Sequence, residues 1–297
     1  MPSIRNQNYY ETKDILQPKN DVVFQALFTR GKESITKAML EDILKIKIDK
    51  LELDKSKDLL NDNKDDKNGR LDLRAVINGD TECDIEMQLE THDKFIERVL
   101  YYWAKMYTAN LKVGDSYDKL KKTISIIIVD SEIPSLKELE KAHTKWQIRE
   151  DENRQIILTS YFECHIIELP KAIREYKKDP QNEVLQWMVF LDNPKDEEVA
   201  KIMEENKDIK EAKEELDKIS RDDVLRRMAL KKQLEEMDRK QFAYDAEQRG
   251  LKQGKELGEK SERIKIAQAM LKEKMELELI AKTTGLTIEE IKELQKQ

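Results

Sequence analysis

The stretch RLDLRAVINGDTECDIEMQLE, residues 70–90, alternates apolar and polar side chains on both sides of an Asn-Gly turn signal. That is the pattern of a β-hairpin with one buried face. Leu71, Leu73 and Ala75 share one face of the first strand, and Cys83, Ile85, Met87 and Leu89 form the apolar face of the second. The other face gathers Asp72, Arg74 and Val76 from the first strand with Asp84, Glu86, Gln88 and Glu90 from the second. A two-residue Asn-Gly loop would lay apolar residues of one strand across polar residues of the other. A three-residue loop, Asn78 to Asp80, pairs Ile77 with Thr81 and keeps the apolar face continuous, so hydrophobic matching selects it.

In that register Arg74 lies opposite Asp84, and Asp72 opposite Glu86. Directly opposed residues have Cβ atoms about 5 Å apart, where like charges destabilise. Arg74 is expected to neutralise Asp84, but nothing in the hairpin neutralises Asp72 with Glu86. A divalent cation would: two carboxylates, the carbonyl oxygen of Met87 and water make an oxygen-rich Mg²⁺ site. The competing reading is the ordinary polar face of a half-exposed hairpin. The three histidines, His92, His143 and His165, show no ligand spacing, which argues against zinc.

Around the hairpin, residues 21–44 carry two helix-period segments. Asn20 is the expected cap of the first, whose apolar face is Val23, Phe24, Leu27 and Phe28; Ile35, Met39, Ile43 and Leu44 form that of the second. IDKLEL is a short strand, and DKSKDLLNDNKDDKNGR a polar loop. A helix follows over 92–112, with Phe95, Val99, Tyr102, Trp103 and Met106 at helical spacing and Gly114 as its stop. TISIIIVD is a continuous β-branched run, the mark of a strand buried on both faces. RQIILTSYFECHIIELP supplies a further strand or two, ended by Pro170. The order of elements predicts an α/β fold with a mixed sheet and helices packed on it.

The chain divides by composition into three expected parts: 1–194 as the sheet domain, 195–262 as charged helices for linkage or oligomerisation, and 263–297 as a small helical tail. Gly250, Gly254 and Gly258 fall on roughly one helical face, read either as a weakened helix or as a close helix contact. In the tail, Thr287 and Glu290 form a capping-box signature. The tail is weakly helix-turn-helix-like. TIEEIKEL is acidic where a recognition helix should meet phosphate, so packing or oligomerisation is expected there ahead of DNA reading.

The whole chain has 297 residues, 39% of them charged, and a formal charge of -7, so any nucleic-acid contact requires a local basic patch. Between residues 92 and 123 seven basic residues stand against four acidic ones, with Tyr101, Tyr107 and Tyr117 interleaved. Cys83 and Cys164 read as buried free thiols of a reducing compartment. With no apolar leader or membrane-length run in view, the expected location is cytoplasmic, away from membrane. No phosphate-binding glycine loop or serine nucleophile elbow is present.

LQPKNDVVFQALF, the hairpin, FIERVLYYWAKMYTANLKVGDSYDKLKKTISIIIVD, GLKQGKELGEK and IAKTTGLTIEEIKEL together resemble, in order, the recombination-promoting nuclease and transposase family. This is a branch of the PD-(D/E)XK nucleases. The resemblance covers most of residues 14–295. It implies a restriction-endonuclease-like αβββαβ core with a long charged helical C-terminal region. It also implies Mg²⁺-dependent hydrolysis of DNA phosphodiester bonds, with Mn²⁺ or Ca²⁺ as alternative ions. Asp72 and Glu86 match the family's two acidic metal-ligand positions. Gln88 stands where the wider superfamily has lysine, and Gln25 where relatives often do; this branch commonly carries Gln at the first of these. Asp21 lies in a shared motif, either bordering the site or stabilised by the helix dipole. The expected function is a metal-dependent DNA endonuclease with Asp72, Glu86 and Gln88 as catalytic residues, self-associating through its C-terminal helices. A catalytically impaired DNA-binding or regulatory relative is the alternative, and a structural assembly protein a third class.

Overall fold

The computed structural model describes residues 14–54, 73–91, 93–109 and 111–295. Asp72, His92 and most of the polar loop after the first strand lie outside them. The chain forms two compact units, 1–233 and 234–297.

The first unit begins with α1 (Asp21–Gln25), continued by a π-helical turn Ala26–Arg30, and α2 (Glu33–Leu44). Asn20 caps α1 as expected, its side chain accepting from the Val22 N–H. Strands β1 (Leu51–Leu53), β2 (Leu73–Ile77) and β3 (Thr81–Gln88) lead into α3 (Phe95–Thr108) and β4 (Lys122–Val129). Next come β5 (His143–Trp146) and β6 (Phe162–Glu168), then α4 (Leu169–Tyr176), α5 (Glu183–Asp192), α6 (Glu197–Glu205) and α7 (Lys207–Ile219). Helix α8 (Asp223–Lys272) runs on into the second unit, which ends with α9 (Leu277–Thr284) and α10 (Ile288–Leu294).

The six strands lie in the order β1-β2-β3-β4-β6-β5. β3, β4 and β6 run parallel to one another, whereas the pairs β1–β2, β2–β3 and β5–β6 are antiparallel. The first helices, three antiparallel strands, α3 and β4 form the expected αβββαβ core within this mixed sheet. The hairpin has the three-residue-loop register, with Ile77 opposite Thr81, Arg74 opposite Asp84 and Leu73 opposite Ile85. Asn78 and Gly79 adopt positive φ of 53° and 83°, conformations that Asn and Gly tolerate best. The apolar run β4 is buried along seven of its eight residues because β3 and β6 flank it and helices cover both faces.

The two faces carry separate cores. On one, Cys83, Ile85, Met87, Ile124, Ile126 and Ile128 pack with Phe24, Phe28, Met39 and the wholly buried Trp187. On the other, Ile127, Val129, Cys164 and Ile166 pack with Phe95 and Val99 of α3. Ile202 of α6 and Leu216 of α7 belong to the first core, so the expected boundary at 194 falls inside the compact unit, which reaches Gln233. Composition misplaces it because these short amphipathic helices expose a charged face while burying a narrow stripe.

Three local expectations shift. α3 ends at Thr108, ahead of Gly114. Pro170 sits in the first turn of α4, which starts directly after β6, a position where its missing N–H costs nothing. Strand β5, from HTKW, has no apolar alternation to announce it and is recognised only through its pairing with β6. Glu168 and Lys171 are both buried and bonded at 2.6 Å; Glu168 also accepts from the Ile133 N–H, and Lys171 donates to the Leu136 carbonyl. The loop after β4 is thereby pinned to α4.

In the second unit Ala267, Ile280, Leu286 and Ile291 form a small core. The expected capping box closes α10, with Thr287 accepting from the Glu290 N–H and Glu290 from the Thr287 N–H. A Cβ added at Gly250, Gly254 or Gly258 would meet nothing within 4 Å, so the described residues contain no close helix contact there.

Candidate functional site

Side chains on paired β-residues point to the same side of a sheet. β3 pairs Asp84 with Ser125 and Glu86 with Ile127 of β4, which places both carboxylates on the side covered by α3. Glu82 and Gln88 share this face by alternation. β3 is an interior strand, so Glu82, Asp84 and Glu86 are all buried, Asp84 almost completely. The indole of Trp103 donates to the Thr123 carbonyl at 2.9 Å, anchoring α3 over β4 beside the row.

Arg74 does not form the expected pair with Asp84. Its Nη2 lies 2.9 Å from Glu82 Oε2, while the Ser125 hydroxyl donates to Asp84 Oδ1 at 2.6 Å. Register puts Arg74 beside Asp84, but the long side chain reaches along the strand to the more exposed carboxylate, where its own desolvation costs less. Asp84 is left without an ion pair in its hydrogen-bonded site. Burial, helped by the nearby charge of Glu86 and opposed by the Ser125 hydrogen bond and Arg74, pushes its carboxyl up to about 8. Asp84 therefore holds its proton at neutral pH.

Of the expected site residues, the structure places Glu86 and Met87 in the interior of β3 and Gln88, half-buried, at its end. Asp72 lies outside the described residues. No group of three or more metal-ligating side chains occurs among the described residues. The backbone N–H of Asp130, which follows β4, donates to the Gln88 carbonyl at 2.8 Å. Asp130 in turn pairs at 2.8 Å with Lys19, which also bonds Asp192 at 2.9 Å. Burial depresses the Lys19 ammonium, and these two carboxylates outweigh it, for a net rise. Lys19, one residue before the Asn20 cap, is invisible as a site residue in the sequence because its partners are over a hundred residues away. Asp21 pairs with Lys232 of α8 at 2.9 Å.

The basic run is less basic in three dimensions than in sequence. Lys94, Lys119 and Lys122 are ion-paired with Glu97, Asp115 and Glu163. Arg98 lies over the Tyr102 ring at 5.6 Å, and Tyr107 stacks on Trp103 with centroids 5.0 Å apart. Tyr101 and Tyr117 remain exposed.

A second polar cluster, absent from the sequence expectations, lies on the opposite face. The antiparallel pairing of β5 with β6 sets His143 diagonally across from His165. His143 Nε2 lies 2.7 Å from His165 Nδ1, and His165 Nε2 lies 2.9 Å from Glu163 Oε1. Glu163 also takes Lys145 at 2.8 Å and Lys122 at 2.9 Å. Burial raises the Glu163 carboxyl, but hydrogen bonds from His165, Lys145 and Lys122 outweigh it and hold the group far below the carboxylate range. Burial, with the neighbouring His165 and Lys145, lowers His143 to about 4. Cys83 and Cys164 are buried free thiols, as expected, each pushed up chiefly by burial, Cys164 to about 12.

Among the described residues no helix is long and apolar enough to cross a membrane. No curated protein and no solved structure matches the chain. Two family models do. Residues 260–296 match the C-terminal HTH domain of the Rpn/YhgA-like nuclease family, so the tail, for which packing was the favoured expectation, is a helix-turn-helix unit with Gly285 at positive φ between its last two helices. Residues 18–246 match the PD-(D/E)XK nuclease family transposase; with the mixed sheet and αβββαβ core, this establishes that the chain belongs to the PD-(D/E)XK nuclease family of transposases.

Proposed function

We propose that this protein is a divalent-cation-dependent DNA endonuclease that hydrolyses phosphodiester bonds. The observation that carries the reading is the carboxylate row of β3, where Asp84 and Glu86 are buried on one face of an interior strand in a chain of nuclease family. The charge of Glu86 contributes to the raised pKa of Asp84, so this face favours positive charge. Its donors are all oxygen, which suits a hard cation such as Mg²⁺, with Mn²⁺ or Ca²⁺ as substitutes. Asp72 and Glu86, with the Met87 carbonyl, would hold it. When bound, the ion lowers the pKa of a coordinated water and neutralises charge on the phosphoryl group. Glu86 sits on an interior strand, which fixes its backbone and the face it is borne on. Gln88 offers an amide N–H to a phosphate oxygen or its Oε1 to the attacking water, orienting either without adding charge.

Plasmid cleavage with Mg²⁺ or Mn²⁺ tests the reading. Wild type should nick or linearise the DNA, and Asp72→Ala and Glu86→Ala should lose at least about a hundredfold in rate, the range in which removal of one electrostatic catalytic group falls. Equal cleavage by all three would sink it. One observation favours a second reading: Gln88 replaces the superfamily lysine and removes a positive charge from the transition state. A catalytically impaired relative would bind duplex DNA and still cleave nothing with either ion.

The helix-turn-helix unit supports contact with duplex DNA. Self-association is supported by the exposed seam of α8, where Leu234, Met237, Tyr244 and Leu251 recur at heptad positions together with Gln241 and Gln248. A parallel, in-register pairing of two copies would set Lys240 against Asp245 and Glu247 against Lys252, opposite charges at both flanking positions.

A further inference from the structure

Helix α3 packs on residues of β4 and β6, with Phe95, Val99 and Met106 buried along its middle. At one edge of that stripe Trp103 meets Phe162, at the start of β6, with centroids 4.8 Å apart, and Tyr107 meets Tyr161 at 6.4 Å. This edge looks toward β6, so the edge across the stripe looks toward β3. At about 3.6 residues per turn that second edge is Arg98, Tyr102 and Lys105. A right-handed crossover between the parallel neighbours β3 and β4 gives the same assignment.

The height of Arg98 along the acid row follows from Trp103, whose indole bonds the carbonyl of Thr123, the β4 partner of Glu82. α3 runs back against the strands it connects, and Arg98 precedes Trp103 by about 7.5 Å at a rise of about 1.5 Å per residue. That is about two residues further along β3 at about 3.3 Å each, which sets Arg98 level with Asp84, with Glu86 next in the row.

Lys94, Lys119 and Lys122 are held by carboxylates, and Lys121 by the Gly79 carbonyl at 3.1 Å. Arg98 is exposed and makes no ion pair among the described residues. Its guanidinium lies over the Tyr102 ring at 5.6 Å, and Tyr101 meets Tyr102 edge-on at 5.3 Å. Stacking on the ring orients the guanidinium without using its N–H groups, so its fork stays open to two oxygens of a phosphate.

We propose that Arg98 is a substrate-binding residue of the acid-row site: it holds a backbone phosphate of DNA laid along the row, supplying a positive charge that the Gln88 amide lacks. Its substrate is that of the endonuclease reading, on which the assignment rests.

Two measurements on the full chain test this: binding of a short phosphorothioate duplex, which keeps the charge and resists hydrolysis, in Mg²⁺ over a range of salt, and plasmid cleavage in Mg²⁺. Arg98→Gln should weaken duplex binding and lower kcat/KM at least about tenfold each, and lower the slope of log affinity against log salt by about 0.9, the value of one phosphate contact. Arg98→Lys, which keeps the charge without the fork, should recover the slope and only part of the affinity. Lys177→Gln removes an exposed charge just after α4, on the side of the other core, and should change neither. Unaltered thermal melting would show that the variants are folded. A wild type that binds without cleaving removes the endonuclease reading, and the Arg98→Gln slope still decides the contact. No duplex binding by wild type, an unchanged slope and affinity in Arg98→Gln, or an equal loss in Lys177→Gln overturns the proposal, even where wild type cleaves.

Discussion

Replacing Glu163 by Gln removes the one anion that three donors share. The lost contacts are Lys122 and Lys145 at 2.9 and 2.8 Å and His165 at 2.9 Å. The two lysine side chains are 33% and 45% exposed and can turn toward water, so their share is discounted to a few tenths of a kcal/mol each. His165 is 2% exposed and has no such exit. Its Nε2–H keeps at most a neutral amide acceptor, and a hydrogen bond to a charged group contributes about 1.5 to 3 kcal/mol. The expected loss is therefore about 2 to 4 kcal/mol at pH 7, measured by urea denaturation. The pH dependence has a definite sign. The folded carboxyl lies below its ordinary 4.5, so its stabilisation is full above that value and drains away as pH falls through and below it. The gap between wild type and Glu163→Gln should narrow from pH 6 to pH 3. A constant gap over that range, or a loss under about 0.5 kcal/mol at pH 7, would refute the assignment of Glu163 as the ionic centre of this face.

Asp84→Asn should behave in the opposite way. Between the ordinary 3.8 and about 8 the unfolded chain has released a proton that the folded chain keeps, so native stability drains away as pH rises through this window. The Asn variant should gain on wild type by up to roughly 1 kcal/mol per pH unit there, read by thermal melting in EDTA; parallel profiles would contradict it. Lys171→Met leaves Glu168 buried without its cation, and should cost about 3 to 5 kcal/mol in chemical denaturation, far more than the exposed pair Lys45 with Glu183 loses on Lys45→Met. Met237→Glu with Leu251→Glu should abolish any dimer seen by light scattering without altering the melting of the sheet unit; an unchanged mass would exclude the α8 seam.

The hairpin was legible because two independent constraints, side-chain alternation and loop length, admit one register, and the structure has it. The helix faces of residues 21–44 were legible for the same reason: a period of 3.6 with a cap in front. What failed to show are features of partner choice. Arg74 lies opposite Asp84 yet bonds Glu82, since register fixes backbones and leaves a long side chain to find the carboxylate it can reach at least desolvation. His143 and His165 are 22 residues apart in sequence and meet only because β5 pairs with β6. HTKW, too short and polar for a periodicity test, gives no warning of that pairing. The boundary at 194 failed through composition, which counts the charged faces of α6 and α7 and not the buried Ile202 and Leu216.

The two faces of the sheet spend their polar residues differently, and the contrast bears on which one does chemistry. On the β5–β6 side, Glu163 is met by three donors at hydrogen-bond distance, so burial is compensated within the fold. On the α3 side the Ser125 hydroxyl, the Arg74 charge and the backbone N–H of Asp84 itself favour its carboxylate, yet burial, with Glu86 adding like charge two residues away, keeps the group raised. An apolar residue at Asp84 would pack against α3 without that penalty, as Ile127 and Val129 do one strand over. Interior strands depart from such local consistency chiefly at functional sites. A cation brought to the acid row would offset the burial cost that raises the Asp84 carboxyl.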